Sequence, residues 1–143
     1  MVIREERATL EDLWALDQLP ENAGKRFELL NGEIYEVPTP EPLHNYVVAL
    51  FVRKIGICLD SNDIGFVFGD NGSCTLPNGD ELIPDASFLS KARQSLPFPK
   101  KFFIAPDLTI EVKSPSNTER ELLDKAGSYL KSGTRLVVWL ARK

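Results

Sequence analysis

Three residues in the second half of the chain have the side chains that metal-assisted hydrolysis requires. Asp85 follows Pro84, and Glu111 and Lys113 stand two positions apart in one apolar run. Two carboxylates with a backbone carbonyl or a water form a hard oxygen site that suits Mg²⁺ or Mn²⁺. Such an ion lowers the pKa of a bound water, and a nearby lysine orients the water and offsets transition-state charge. This combination is what hydrolysis of a phosphodiester needs.

The segment 107–113 is predicted to be the strand that presents two of these residues. Side chains alternate along a strand, so Leu108, Ile110 and Val112 form a core face. Glu111 and Lys113 are then expected on the opposite face, near the carboxyl end of the strand. If the predicted strand 81–89 is its neighbour, Asp85 lies beside Glu111.

A crossover follows the strand 107–113. Thr118 and Glu121 have the spacing of a capping box, and Gly133 is typical of the position just past a helix. These signals predict a helix over 118–131 that leads to a strand over 135–140. A strand–helix–strand unit predicts two parallel strands.

The first half of the chain predicts further elements of a mixed α/β fold. Thr9 and Asp12 begin a short helix, and Asn31-Gly32 is typical of the tight turn of a hairpin over 27–37. The run 44–59 is apolar almost all round and predicts a buried helix. One or two strands are predicted over 65–76, around an Asp70-Asn71-Gly72 turn. The chain is therefore expected to be a single α/β domain over 1–143, with a mixed central sheet flanked by helices.

Composition limits the class of protein. The net charge is −4 and the sequence pI is about 5.1, which argues against a protein that coats nucleic acid non-specifically. Basic pairs such as Arg53–Lys54 and Lys100–Lys101 are interpreted as solvated surface. Cys58 and Cys74 have no metal-binding spacing and are expected to be reduced, which favours the cytoplasm. The apolar run 46–59 is interrupted by charge and too short to span a bilayer, and the N-terminus lacks an apolar signal core.

The ordered motifs resemble a known family. Pro84-Asp85 with Glu111-Val112-Lys113 is similar to the PD-(D/E)xK signature of restriction-endonuclease-like nucleases. The segments FELLNGEI at 27, HN at 44, LIPDASF at 82, PDLTIEVKSPS at 106, LLDKAGSYL at 122 and GTRLVVWL at 133 resemble successive motifs of the Uma2 family (DUF820). The resemblance extends from about Thr9 to Leu140.

The resemblance implies a function and a set of site residues. Asp85 and Glu111 would bind Mg²⁺ or Mn²⁺, and Glu28 of the hairpin would complete the metal site. Lys113 and Lys125 both match lysine positions of the family, and Lys113 fits the superfamily pattern more directly. The implied activity is endonucleolytic hydrolysis of DNA by a restriction-endonuclease-like core, with a homodimer as the expected assembly. Relatives continue past the last strand with further β structure, so the domain is expected to be shortened at its C-terminus.

Other interpretations of the same residues remain open. Glu28 could pair across the hairpin, and Lys125 could extend along an apolar helix face to reach solvent. His44 is expected in a surface or capping role. For the whole chain, the alternative is a non-catalytic binding or assembly module that retains the nuclease fold. A glycosidase-like carboxylate pair is a third possibility, but it leaves Lys113 unexplained.

Overall fold

The computed structural model describes residues 6–69 and 72–141, which contain three α-helices and eight β-strands. The helices are α1 (Leu10–Asp17), α2 (Pro42–Ser61) and α3 (Glu119–Lys131). The strands are β1 (Phe27–Leu30), β2 (Glu33–Glu36), β3 (Gly65–Phe68), β4 (Cys74–Thr75), β5 (Glu81–Leu82), β6 (Ala86–Ser90), β7 (Leu108–Val112) and β8 (Leu136–Leu140). This architecture confirms the predicted mixed α/β class.

The strands form two four-stranded sheets. The first has the order β2-β1-β5-β4 and the second the order β3-β6-β7-β8. β7 and β8 pair in parallel, with Leu108 opposite Leu136 and Val112 opposite Leu140. The parallel pair predicted from the crossover is therefore confirmed. β6 pairs antiparallel with both β3 and β7, so the second sheet is mixed.

The chain passes from the first sheet to the second between Leu82 and Ala86. The sequence predicted one strand over 81–89, and this was wrong, since β5 and β6 belong to different sheets. Pro84 has no N–H to donate to a strand ladder, so pairing stops there. Asp85 consequently lies at the junction of the two sheets.

The strands predicted over 65–76 do not form a hairpin. β3 lies in the second sheet and β4 in the first. Asp70 and Asn71, which were predicted to form the turn, lie outside the described residues. The alternation of apolar residues indicates strands correctly, but it carries no information on which sheet receives them.

The helix caps and the hairpin turn predicted from the sequence are confirmed. The Thr9 side chain accepts from the Asp12 backbone, and Thr118 does the same for Glu121. The hairpin turn places Asn31 and Gly32 at φ 51° and 78°, as the sequence predicted. Gly133 has φ 110° just beyond α3, a conformation that glycine adopts without strain.

α2 forms as predicted, but it is far less buried than its composition indicated. Within it only His44 and Val48 are buried, and Leu43, Tyr46 and Ile57 are more than half exposed. One face packs against a core cluster of Ala86, Ile110 and Val112 in the second sheet. The helix is longer than the apolar run 46–59, which was predicted from the sequence to be too short to span a bilayer. By length and composition α2 could cross a membrane, although one such helix is a weak indication of a span.

Candidate active site

One cleft brings together ionisable side chains from distant parts of the chain. Its lining includes Glu28 on β1, His44 on α2, Asp85 at the sheet junction, Glu111 on β7 and Lys125 on α3. Four of these five were predicted as site residues. Because the junction between the sheets forms part of the cleft, the break in the strand at Pro84 positions the site.

Lys125 lies at the centre of this group. Its Nζ is 2.7 Å from Glu28 Oε1 and 2.9 Å from Glu111 Oε1, and it donates to the Ile83 carbonyl at 3.1 Å. Glu28 Oε1 also accepts from the Ile83 backbone N–H at 3.1 Å. The ammonium thus joins β1, β7, α3 and the junction segment through a single group.

The sequence places Lys125 on the buried side of α3. Leu122 precedes it by one turn and Tyr129 follows by one turn, and both are buried. Residues three or four apart lie on one face of a helix, so Lys125 enters the interior with them. The alternative of a lysine reaching out to solvent is wrong, because the residue is only 8% exposed.

Asp85 is held by two donors on the same oxygen. Its Oδ2 accepts from the Val112 backbone N–H at 2.6 Å and lies 3.2 Å from His44 Nε2. Val112 directly follows Glu111 on β7, so the hydrogen bond keeps Asp85 beside that residue. Asp85 and Glu111 therefore line the same cleft, and their joint role at a metal site stays a prediction.

Burial and charge shift the pKa values of the central pair. Burial raises the pKa of Glu111 to about 8, and the nearby carboxylates Asp85 and Glu28 add to this against the opposing effect of Lys125. For Lys125, burial alone would lower the pKa, but the ion pairs with Glu111 and Glu28 outweigh it and hold the pKa above its ordinary value. Lys125 is therefore protonated, and Glu111 resists ionisation.

Lys113 does not take the place that strand alternation predicted for it. β7 ends at Val112, and the Lys113 backbone N–H bonds to the Leu140 carbonyl at 3.0 Å. Its side chain is half-buried, is absent from the cleft lining, and has no hydrogen bond or ion pair to the described residues. The alternation could not be extended past the end of the strand. The structure therefore brings Lys125, and not Lys113, to the acids.

Glu28 lines the cleft, where its carboxylate pairs with Lys125. Within residues 6–69 and 72–141, no three His, Cys, Asp or Glu side chains surround a common point where a metal ion could bind. The alternative that Glu28 pairs with a side chain across the hairpin is not seen either. Its carboxylate instead contacts Lys125 and the Ile83 backbone. Its role as a metal ligand stays a prediction.

Two carboxylates of the cleft have the chemistry of ligands for a hard divalent ion. Asp85 and Glu111 supply carboxylate oxygens, and Mg²⁺ commonly uses one or two carboxylates and keeps several waters. The Lys125 ammonium contacts two of the cleft carboxylates, Glu28 and Glu111, and Asp85 lines the same cleft.

His44 is the site residue that the sequence analysis missed. It was expected at the surface, but it is 6% exposed and contacts Asp85. A usable signal was present, since His44 and Val48 are four residues apart and so share a helix face. The nearly continuous apolar character of α2 hid that face.

Fold and cleft together define a nuclease-like α/β protein. The family model of Uma2, described as "Putative restriction endonuclease", matches residues 13–143, and the chain belongs to this family. Among solved structures, the chain is similar to "a putative nuclease belonging to DUF820" from Anabaena variabilis ATCC 29413. That likeness has 26% identity and a TM-score of 0.74, and it covers 89% of this chain and 72% of the other. A comparison with curated proteins found no match.

Proposed function

We propose that the protein is an Mg²⁺- or Mn²⁺-dependent endonuclease that hydrolyses DNA phosphodiester bonds. The observation that carries the proposal is the meeting of Asp85, Glu111 and Lys125 in one cleft at the sheet junction. Membership of the Uma2 family and the likeness to a DUF820 nuclease support the same class. Asp85 and Glu111 would hold the ion, which supplies an activated water and offsets charge on the phosphate.

The chain's own residues have separable roles in this proposal. Lys125 carries a fixed positive charge that can neutralise charge developing on a phosphate. Glu28 keeps that ammonium in place by accepting from it at 2.7 Å. Val112 fixes Asp85 through its backbone N–H. We retain Lys113 as a candidate that requires a shift of the segment after β7 to reach the acids.

The surroundings of the cleft indicate how DNA would be bound. Several basic residues predicted as surface are paired with acids: Lys91 with Asp63, Arg93 with Asp107 and Lys101 with Glu81. Arg26, Ser114 and Asn117 line the cleft with the acids. DNA binding is then expected to depend in part on the divalent ion, because several of these cations are already paired with carboxylates.

Cleavage assays with a matched variant test the proposal. Purified protein is incubated with Mg²⁺ or Mn²⁺ and with supercoiled, linear and single-stranded DNA, beside Asp85→Asn and Glu36→Gln. Glu36 lines the same cleft but is exposed on β2, so E36Q controls for a change of cleft charge. Cleavage by wild type and E36Q, with at least a hundredfold loss in D85N, is expected from loss of a metal ligand. Equal cleavage by all three proteins would refute the assignment.

A homodimer and a reducing compartment belong to the same proposal. Cutting both strands of a duplex is readily explained by two copies of a single-site enzyme. Sedimentation of the purified chain with and without a DNA duplex measures the assembly. Both cysteines are free, with Cys74 buried and Cys58 exposed, which agrees with a cytoplasmic protein.

The second candidate is a non-catalytic binding module with the nuclease fold. It is favoured by the missing three-residue metal cluster in the described part of the chain and by the ion pairs that Lys125 makes with Glu28 and Glu111. Calorimetry with Mg²⁺ and Mn²⁺ separates the candidates. Binding that is lost in Glu111→Gln supports the nuclease, and absence of heat in wild type supports the module.

A further inference from the structure

We infer that His44 is a positioning residue, which holds the Asp85 carboxylate in the orientation that accepts a divalent cation. The presence of a cation rests on the proposed function, whereas the contact between His44 and Asp85 is seen in the structure. Nε2 of His44 lies 3.2 Å from Oδ2 of Asp85, and the two residues are 41 positions apart in the chain.

The contact is built into the interior of the protein. The His44 side chain is 7% exposed and the Asp85 side chain 14% exposed. His44 lies in the first turn of α2, which begins at Pro42 and packs its Val48 face on Ala86 and Val112. The helix therefore fixes the ring relative to the junction segment that carries Asp85.

The tautomer of His44 follows from its surroundings. Nδ1 is buried and has no hydrogen-bond partner among the described residues. A buried N–H without an acceptor is costly, so the proton belongs on Nε2, where the carboxylate accepts it. With its proton on Nε2, the ring donates one hydrogen bond to Oδ2 of Asp85.

Two donors on one oxygen define the plane of the carboxylate. The Val112 N–H reaches Oδ2 from β7, and the His44 ring reaches it from α2. Rotation of Asp85 about its last side-chain bond would break both contacts, so the second oxygen keeps a fixed direction. Groups that orient metal ligands in this way contribute roughly 10–100-fold to metal affinity.

The test compares three variants with wild type. His44→Ala removes the donor, and His44→Gln offers an amide N–H at a similar distance from the backbone. Tyr46→Ala is the matched control, because Tyr46 lies in the same helical turn and is 62% exposed. Mn²⁺ affinity is measured by calorimetry, and exchange of the Val112 amide proton is measured by NMR without metal.

The expected results separate positioning from general stability. H44A should bind Mn²⁺ about 10–100-fold more weakly, in line with other ligand-orienting groups, and H44Q and Y46A should bind within about threefold of wild type. Val112 amide exchange should be faster in H44A than in H44Q. In cleavage assays, H44A should need about 10–100-fold more Mn²⁺ than H44Q or Y46A to reach half of its maximal rate.

Several outcomes would overturn the inference. One is wild-type Mn²⁺ affinity in H44A while E111Q loses binding. If H44A does not fold, His44→Leu replaces it, and equal affinity of H44L and H44Q would be equally decisive. If wild type binds no divalent ion, the proposed function fails, and the contrast in Val112 exchange alone decides the role of His44.

Discussion

At the scale of single residues, the cleft depends on one buried ammonium group that pairs with two carboxylates. Lys125 is 8% exposed and contacts Glu28 and Glu111. Buried charges of this kind are tolerated only with partners, and removing one partner leaves the others uncompensated. Lys125 therefore has a structural role that exists with or without catalysis.

Lys125→Met is expected to destabilise the protein strongly. It keeps the length and apolar stem of the side chain but removes the charge, so the free energy of unfolding should fall by about 3–5 kcal/mol. Lys113→Met is the matched control, because the Lys113 side chain has no ion pair to the described residues, and its effect should stay within about 0.5 kcal/mol. Urea denaturation measures both. A similar loss in both variants would contradict the placement of Lys125.

The two cysteines should differ sharply in reactivity. Cys74 is 3% exposed, and burial raises its pKa to about 12, so almost no thiolate exists near neutral pH. Cys58 is exposed on α2. Native protein should therefore react with one equivalent of a thiol reagent, and denatured protein with two. Native Cys58→Ser should not react within minutes; rapid labelling of that variant would show that Cys74 is accessible.

Residue types and order predicted most of the site, but not its contacts. Asp85, Glu111, Glu28 and Lys125 were all identified and do line one cleft. The preference for Lys113 over Lys125 followed the signature and ignored where β7 ends. Which of two lysines reaches a carboxylate depends on the packing of α3 against the sheets, and that packing is a long-range property that no local pattern carries.

At the scale of elements, the sequence predicted helix ends and turns correctly where the hydrogen bonds that form them join residues close together in the chain. The capping boxes of α1 and α3 and the Asn31-Gly32 turn each satisfy backbone groups within a few residues, and each formed as predicted. The split between β5 and β6 is different, because it depends on which sheet pairs with each half. Pro84 indicated an irregular position in the strand, but it carried no information on which strands pair with β5 and β6.

Thr118→Ala tests the local contribution to α3. The Thr118 side chain accepts from the Glu121 backbone at 3.1 Å, and Glu121 reaches back to the Thr118 N–H at 3.3 Å. Loss of the cap should lower the free energy of unfolding by about 1 kcal/mol. Thr39→Ala, at an exposed threonine in the loop before α2, should change it by less than about 0.5 kcal/mol. Equal effects in urea denaturation would mean that the cap is not required.

At the scale of the whole molecule, the site joins the two sheets. Glu28 belongs to the first sheet and Glu111 to the second, and Lys125 contacts both. The charge state of this group should therefore influence the unfolding of the entire chain. Because Glu111 has a raised pKa, that influence depends on pH.

The direction of the pH dependence follows from proton binding. Glu111 has an ordinary pKa of 4.5, which burial raises to about 8 in the folded protein. Between these values the folded state holds more proton at Glu111 than the unfolded state, so this group's contribution to stability is full below about pH 4.5. The contribution is lost as the pH rises towards about 8. Without metal, the unfolding free energy of wild type relative to Glu111→Gln should fall across this range.

Metal-free urea denaturation at several pH values measures this slope in wild type, Glu111→Gln and Glu21→Gln. Glu21 is exposed near the end of α1, so E21Q should follow wild type. E111Q should not show this fall in unfolding free energy, because an amide keeps the shape of the side chain and does not ionise. Parallel curves for wild type and E111Q would show that Glu111 is ionised throughout the range, and that Lys125 outweighs the burial of its partner.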